Sequence, residues 1–340
     1  MKRVAVFLPN WLGDVVMSTP AIRALHRKFP DARITAVGTA AACDTVQGLP
    51  YIHNLVPIPH RAGFWQLFRI ARRIRPDAQD LSVVFPHSFR AAWLAFLTHS
   101  KRRLGYDRNE RAALLTDTLS PHRENGKIVP IYMAQEYLAL VGVLGCEDDG
   151  AGLELYADKE SIELVRERTA GTGPLVGIAP GAAFGPSKQW PTERYAAVAD
   201  RLHDEIGARC VLMTGPGEEQ VQQTMIQTAR HKLLLYDEDK PSIRLLKALV
   251  SQLDLLICND SGPRHVAVAF RVPVICIMGP TSPAYSEGPY EVGKRLRIDV
   301  DCGPCQKPVC PTDHRCMTGI SVDEVVTTAK ELLENPKRKS

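Results

Sequence analysis

The chain has 340 residues, 45% of them apolar and 24% charged, which is enough apolar material for sizeable cores and sets disordered and fibrous classes aside. No run of about 18 apolar residues occurs, so the sequence predicts no transmembrane helix. The net charge of +4 is uneven: residues 1–150 hold 19 Lys/Arg against 13 Asp/Glu, an excess that points either to an anionic partner or to a solvated helix face.

No zinc finger, RNP motif or other nucleic-acid module accompanies the basic half, so nucleic acid is set aside. The opening "MKRVAVFLPN" imitates a secretory signal, but Pro9 and Asn10 end its apolar run early. It reads as a buried first strand of a cytoplasmic protein. Strand patterns follow in "RITAV", "NLVPI" and "LSVVFP", and helical patterns in "TPAIRALHRKF", "FWQLFRIARRI", "SFRAAWLAFLTH" and "YMAQEYLALVGVLG". "ADKESIELVRERTAGTGP" reads as a helix running into a Gly/Pro connector, which places a boundary near residue 170.

The second half repeats the grammar. "LVGIAP", "RCVLMTG", "DLLICND" and "VPVICIMGP" are strands that hand over to small-residue loops, and "PTERYAAVADRLHDEI" is a helix. "SVDEVVTTAKELLENP" is an amphipathic helix with Ser321 as N-cap and Glu324 at the capping-box position. The alternation predicts an α/β protein of two βαβ-type domains, with ligands at the carboxyl ends of the strands and the loops converging on a cleft between the domains.

Five loops carry candidate chemistry. In "APGAAFGPSKQWP", Gly181 and Gly185 let the backbone approach a ligand, and Lys188 adds a cation suited to phosphate. The spacing is not that of a P-loop, and a solvated lysine on a long loop is the plain alternative. In "NDSGPRHVAVAF", Asp260, Ser261, Gly262 and Pro263 open a helix whose free N–H groups attract anions. There Ser261 also reads as an ordinary N-cap, and His265 either as a phosphate donor or as a structural histidine. "GPTSP" adds a small-residue loop, and "TGPGEE" offers Glu219 to a ribose or sugar hydroxyl. In the first half, "NWLGDVVMSTP" holds Asp14, which reads either as a helix N-cap or as a base for a hydroxyl proton. Thr19–Pro20 reads as an N-cap/N1 pair, which would release Asp14 from capping.

Together with "CGPCQKPVCPTDHRC", the segments "GDVVMSTPAIRAL", "PGAAFGPSKQWP", "NDSGPRHVAVA" and "GPTSP" resemble the ADP-heptose:lipopolysaccharide heptosyltransferases of glycosyltransferase family 9, and the PGA-x-FGP-x-K-x-WP form resembles heptosyltransferase II. The resemblance runs from residue 3 to about residue 330. It implies a GT-B fold of two facing Rossmann-like domains: acceptor on residues 1–170, ADP-heptose on 171–320, and a C-terminal helix and tail (321–340) crossing back to the first domain. It implies inverting transfer of L-glycero-D-manno-heptose to a heptose on the lipid A–Kdo core without an essential metal, and Asp14 as base. Lys188, His265 and the helix start at Ser261–Gly262 would stabilise the leaving ADP. Gly181 lies in the donor loop, and Asp260 and Glu219 would hold hydroxyls. Ser88 and Arg90 are acceptor candidates, since the inner core carries Kdo carboxylates and phosphates. A lipid-anchored acceptor also implies peripheral contact with the inner-membrane surface. The chain departs from the family at Arg264, where Met or Leu is expected; heptosyltransferase I carries hydroxyl residues where Ala183 and Phe184 stand, so hydroxyl contacts from that loop are not carried over.

Cys302, Cys305, Cys310 and Cys316 are spaced C-x2-C-x4-C-x5-C, with His314 among them. In a cytosolic chain this points to a structural zinc ion, or to reduced thiols packing a loop. The functional alternatives are heptosyltransferase I or III or another family 9 enzyme, a sugar-nucleotide epimerase or hydrolase, and a non-catalytic carbohydrate-binding scaffold.

Overall fold

In the computed structural model, which describes residues 1–61, 63–78, 80–236 and 242–334, the short apolar runs form two parallel sheets. The chain divides into two units, Met1–Tyr156 and the part from Ala157 onward.

The first unit holds strands β1 (Arg3–Phe7), β2 (Arg33–Gly38), β3 (Ile52–Pro57), β4 (Leu81–Val84), β5 (Arg102–Tyr106) and β6 (Asp117–Leu119) in the order β3-β2-β1-β4-β5-β6. A small hairpin, β7 (Arg123–Glu124) and β8 (Lys127–Ile128), lies outside this sheet. Helices α1 (Leu12–Met17), α2 (Thr19–Lys28), α3 (Ala40–Val46), α4 (Phe64–Ile74), α5 (Phe89–Leu97) and α6 (Met133–Gly142) complete the unit. The second unit repeats the order as β11 (Leu234–Leu235), β10 (Arg209–Leu212), β9 (Leu175–Ala179), β12 (Leu255–Asn259), β13 (Val274–Ile277) and β14 (Gly293–Leu296). Its helices are α7 (Lys159–Arg168), α8 (Thr192–Ile206), α9 (Glu219–Thr228), α10 (Ile243–Gln252), α11 (Gly262–Ala269), α12 (Arg315–Thr318) and α13 (Val322–Glu334).

Both sheets have the doubly wound Rossmann order, so each reverses its winding between its first and fourth strands, β1/β4 and β9/β12. These strands are buried on both faces, which is why they read as continuous apolar runs instead of alternating ones.

Two boundaries differ from the sequence reading. Helix α7, expected to close the first domain, belongs to the second unit, where it packs on α10. Arg244 of α10 reaches Asp158, the α7 N-cap, at 2.7 Å. The C-terminal helix was expected to cross back to the first domain. Through Glu334, α13 instead packs on α8 and the second sheet, and Val325, Val326 and Ala329 join that core. Its apolar stripe is consumed there, and Ser321 Oγ accepts the Glu324 N–H as expected. Residues 335–340 of the anticipated tail lie outside the described residues.

Candidate active site

At the end of β12 the sequence turns sharply polar. Asn259 is fully buried and serves as a hub: its amide donates to Pro180 O at 2.6 Å, and its oxygen accepts from Trp190 N and the Tyr195 hydroxyl. This ties the loop after β9 to the start of α11. The next residue, Asp260, is 6% exposed, and both its oxygens are engaged. Oδ2 accepts from Lys188 Nζ at 2.8 Å and from Thr281 Oγ1 at 2.8 Å, while Oδ1 accepts from Arg264 Nη1 at 2.8 Å. Burial alone would raise the Asp260 carboxyl. Lys188 and Arg264 beside it outweigh burial and hold it below the usual carboxylate range. Asp260 was expected to hold sugar hydroxyls, but most of its capacity is spent within the protein, aiming the Lys188 ammonium.

Arg264, the departure from the family pattern, is completely buried. Its Nε and Nη2 clamp Glu291, at 3.0 and 2.7 Å to Oε2, and Nη1 also reaches Ser286 Oγ at 3.0 Å. The residue therefore binds the 281–291 loop to α11. His265 beside it is buried, and burial, followed by the Arg264 charge, depresses its pKa to about 3. It is a neutral imidazole at ordinary pH, able to donate one hydrogen bond but not to carry a charge.

Ser261 precedes α11 but makes no side-chain cap, and its Oγ is buried without a partner. Gly262 opens the helix and is half-buried. An orphaned hydroxyl among free helix N–H groups, with the Lys188 ammonium anchored on the neighbouring residue, makes a cradle for an anionic group.

The loop after β9 holds Lys188 in a short 3-10 turn, Pro186–Lys188, with its ammonium 5.2 Å from the centre of the Phe184 ring. Gly185 has φ +145, and a Cβ there would collide with Pro308 O. At Gly181 a Cβ would overlap the Glu218 carboxylate, so this glycine makes room for an acid and not only for a ligand. Glu218 is half-buried and accepts from Gly215 N at 2.8 Å; burial pushes its carboxyl above the usual range. Glu219, the residue anticipated from the sequence, is exposed at the first position of α9 and turns back on Gly217 N. The acid that faces the glycine loop is Glu218.

In the first unit, Asp14 lies in the first turn of α1, half-buried, just beyond the carboxyl end of β1. It is not an N-cap, since Trp11 holds that position. Thr19 is not one either: its hydroxyl donates to Val16 O at 2.7 Å, so α2 continues almost directly from α1. Tyr137 of α6 is fully buried and its pKa is raised, by burial first and then by the Asp14 charge. Beside it, the buried Glu136 carboxylate lies 2.9 Å from His87 Nε2 and 3.2 Å from Arg108 Nη2. His87 follows β4, Arg108 follows β5, and Glu136 and Tyr137 lie on α6; sequence reasoning gave none of them a role. Ser88 caps α5 through Ala91 N, and Arg90 donates to the carbonyls of His60 and Pro59. Both still line a hollow at the strand ends with Asn10 and Gly38.

The family model for glycosyltransferase family 9 (heptosyltransferase) matches residues 67–315. The chain belongs to glycosyltransferase family 9. It is 28% identical over 300 residues to a lipooligosaccharide heptosyltransferase 2 from Haemophilus influenzae, covering 83% of this chain and 85% of that one. A family 9 glycosyltransferase structure from Veillonella parvula superposes with TM-score 0.84 at 25% identity, covering 98% of this chain and 97% of the other. The structure of Escherichia coli ADP-heptose LPS heptosyltransferase II gives 0.81 at 22% identity, covering 99% and 100%. The two Rossmann-like units are thus those of a GT-B glycosyltransferase, and the chain is an enzyme of that class.

In this family 9 chain the cysteine segment braces the loop that carries Lys188. Ser187 donates through N to Pro308 O and through Oγ to Lys307 O, and His314 Nε2 lies 2.7 Å from Ser187 O. Cys302, Cys305, Cys310 and Cys316 line one cavity of about 190 Å³, and all four are free thiols. A structural zinc site would draw its sulfurs to about 2.3 Å from one point. Among the described residues, no three His, Cys, Asp or Glu side chains are gathered to hold an ion. As placed, the segment does not form the closed site that its spacing suggested.

Proposed function

We propose that the chain transfers L-glycero-D-manno-heptose from ADP-heptose to the first heptose of the lipopolysaccharide inner core, inverting the anomeric centre. The activities for which the relatives are named support the reading, and one observation carries it: a lysine locked onto Asp260 beside the orphaned Ser261 hydroxyl at the start of α11. That arrangement suits a leaving diphosphate, whose developing charge it would stabilise. Neutral His265 contributes an N–H without adding charge. Glu218 replaces Glu219 as the acid offered to donor hydroxyls. Asp14 takes the proton of the attacking acceptor hydroxyl, and the hollow lined by Ser88 and Arg90 in the first unit receives the anionic lipid A–Kdo–heptose acceptor at the cytoplasmic face of the inner membrane. No cofactor enters this mechanism, and the cysteine segment supports the Lys188 loop through Ser187.

The test is a transfer assay with ADP-heptose and lipid A–Kdo acceptors bearing zero or one heptose. Transfer to the one-heptose acceptor alone is expected, while preference for the heptose-free acceptor would assign the chain to heptosyltransferase I chemistry. Asp14→Asn should lower kcat by at least about 10³-fold with donor affinity kept. Near-normal turnover would remove Asp14 from the base role.

A further inference from the structure

The first unit carries an unusual outer surface. Helix α4 turns Leu67, Ile70, Ala71 and Ile74 inward and leaves Trp65 76% exposed and Phe68 40% exposed. At 100° per residue these two aromatics share one face with Arg69 and Arg72, and Arg73 lies at its edge. Helix α5, packed alongside through Ala92, Leu94 and Ala95, adds Phe89 at 52% and Phe96 at 37% exposure. Phe89, Trp93 and Phe96 form a stacked row, with ring centres 6.5 and 5.6 Å apart. Neither helix contains an acidic residue. Among the described residues, Arg69, Arg72 and Arg73 form no ion pair with a carboxylate.

We propose that the outer faces of α4 and α5 dock on a bilayer surface rich in anionic lipid. A helix face that alternates Trp and Phe with arginine has the make-up of an interfacial helix, with rings at the acyl boundary and guanidinium groups among the headgroups. Charge complementarity selects this occupant over a second copy of the chain, because two such faces would oppose arginine to arginine. Leu67, Arg90, Ala91 and Leu94 of the same two helices line the hollow at the strand ends, so the helices that carry the docking face also wall that hollow. The proposal rests on the reading that the acceptor is a membrane-embedded glycolipid, and it supplies the surface by which the enzyme reaches it.

The full chain is tested by flotation with vesicles of phosphatidylethanolamine and phosphatidylglycerol, and with phosphatidylcholine vesicles alone. Binding to the anionic vesicles should weaken as salt is raised. Trp65→Ser/Phe68→Ser and Arg69→Glu/Arg72→Glu/Arg73→Glu should each lower it at least about tenfold, since one basic residue near such a surface is worth roughly fivefold. Transfer to a water-soluble, deacylated acceptor should stay within about twofold in both variants, which also shows that they are folded. Equal binding to phosphatidylcholine, or binding unaffected by either variant, overturns the proposal. Loss of transfer to the soluble acceptor in the unmodified enzyme would overturn the functional reading instead and leave the flotation result standing on its own.

Discussion

Arg264 offers the sharpest quantitative test of the second unit. Its guanidinium is completely buried and makes contacts to three side chains, Asp260, Glu291 and Ser286. Burial by itself would lower its pKa, but Glu291 and Asp260 keep it raised, so the charge is permanent. Replacing it with Met preserves most of the volume and opens little cavity. The cost is electrostatic. Glu291, with its side chain 11% exposed, loses its cation, and Asp260 Oδ1 loses its donor. Breaking a buried pair from one side costs about 3–5 kcal/mol, because the abandoned charge stays buried. Arg264→Met should therefore lower unfolding stability by about that amount. Arg264→Met/Glu291→Leu removes the stranded carboxylate as well and should return to within about 1–2 kcal/mol of the parent. The double-mutant cycle then yields a coupling of at least about 2 kcal/mol. Urea unfolding of the four proteins, followed by circular dichroism, measures it. In the double variant Lys188 keeps its bonds to Asp260 Oδ2 and O, so measurable transfer should persist. A single-variant cost under about 1 kcal/mol, or costs that simply add, would refute the claim that Arg264 and Glu291 act as one strut.

Three further outcomes are expected. His265, with a folded pKa near 3 against about 6.5 unfolded, makes the unfolded chain bind the extra proton between those values. Stability should thus fall by about 1.4 kcal/mol per unit as pH drops below 6.5, and unfolding titrations of His265→Gln should show a shallower slope; equal slopes would assign the acid sensitivity elsewhere. Glu218→Ala should raise donor KM at least about tenfold and Glu219→Ala by less than about twofold in steady-state kinetics, with the reverse order restoring the sequence-based assignment. In the cysteine segment, the Thr312 hydroxyl beside the half-buried Cys310 thiol lowers its pKa, while burial raises those of Cys258 and Cys276. Brief alkylation near pH 7 with mass spectrometry should label Cys310 first and leave those two untouched, and elemental analysis of protein purified without oxygen should find no stoichiometric metal.

How far the sequence discloses this molecule depends on whether a residue's partner is near it in the chain. Helix α4 coincides with the run "FWQLFRIARRI", because its four inward residues and its outward arginines set the period locally. Strand β5 escaped notice because "RRLGY" opens with two arginines; it is held by pairing with β4 and β6, and its arginines find partners, Arg102 in Asp117 and Arg103 in the carbonyls of Ser100 and Leu114. The same division runs through the site. That a helix opens beyond Asp260 was readable from the Ser-Gly-Pro turn. That Asp260 would be consumed by Lys188, Thr281 and Arg264 was not, since two of those partners lie 72 and 21 residues away. Glu218 and Glu219 make the point most economically, because adjacent residues at a helix start point about 100° apart. The Gly181 loop, 37 residues earlier in the chain, decides between them, since the absent side chain there makes room for one carboxylate and not the other. A glycine that looked like a ligand contact is also the complement of a half-buried acid, and the departure at Arg264 is the complement of Glu291. Each oddity in a motif is explained by a partner that the motif does not contain.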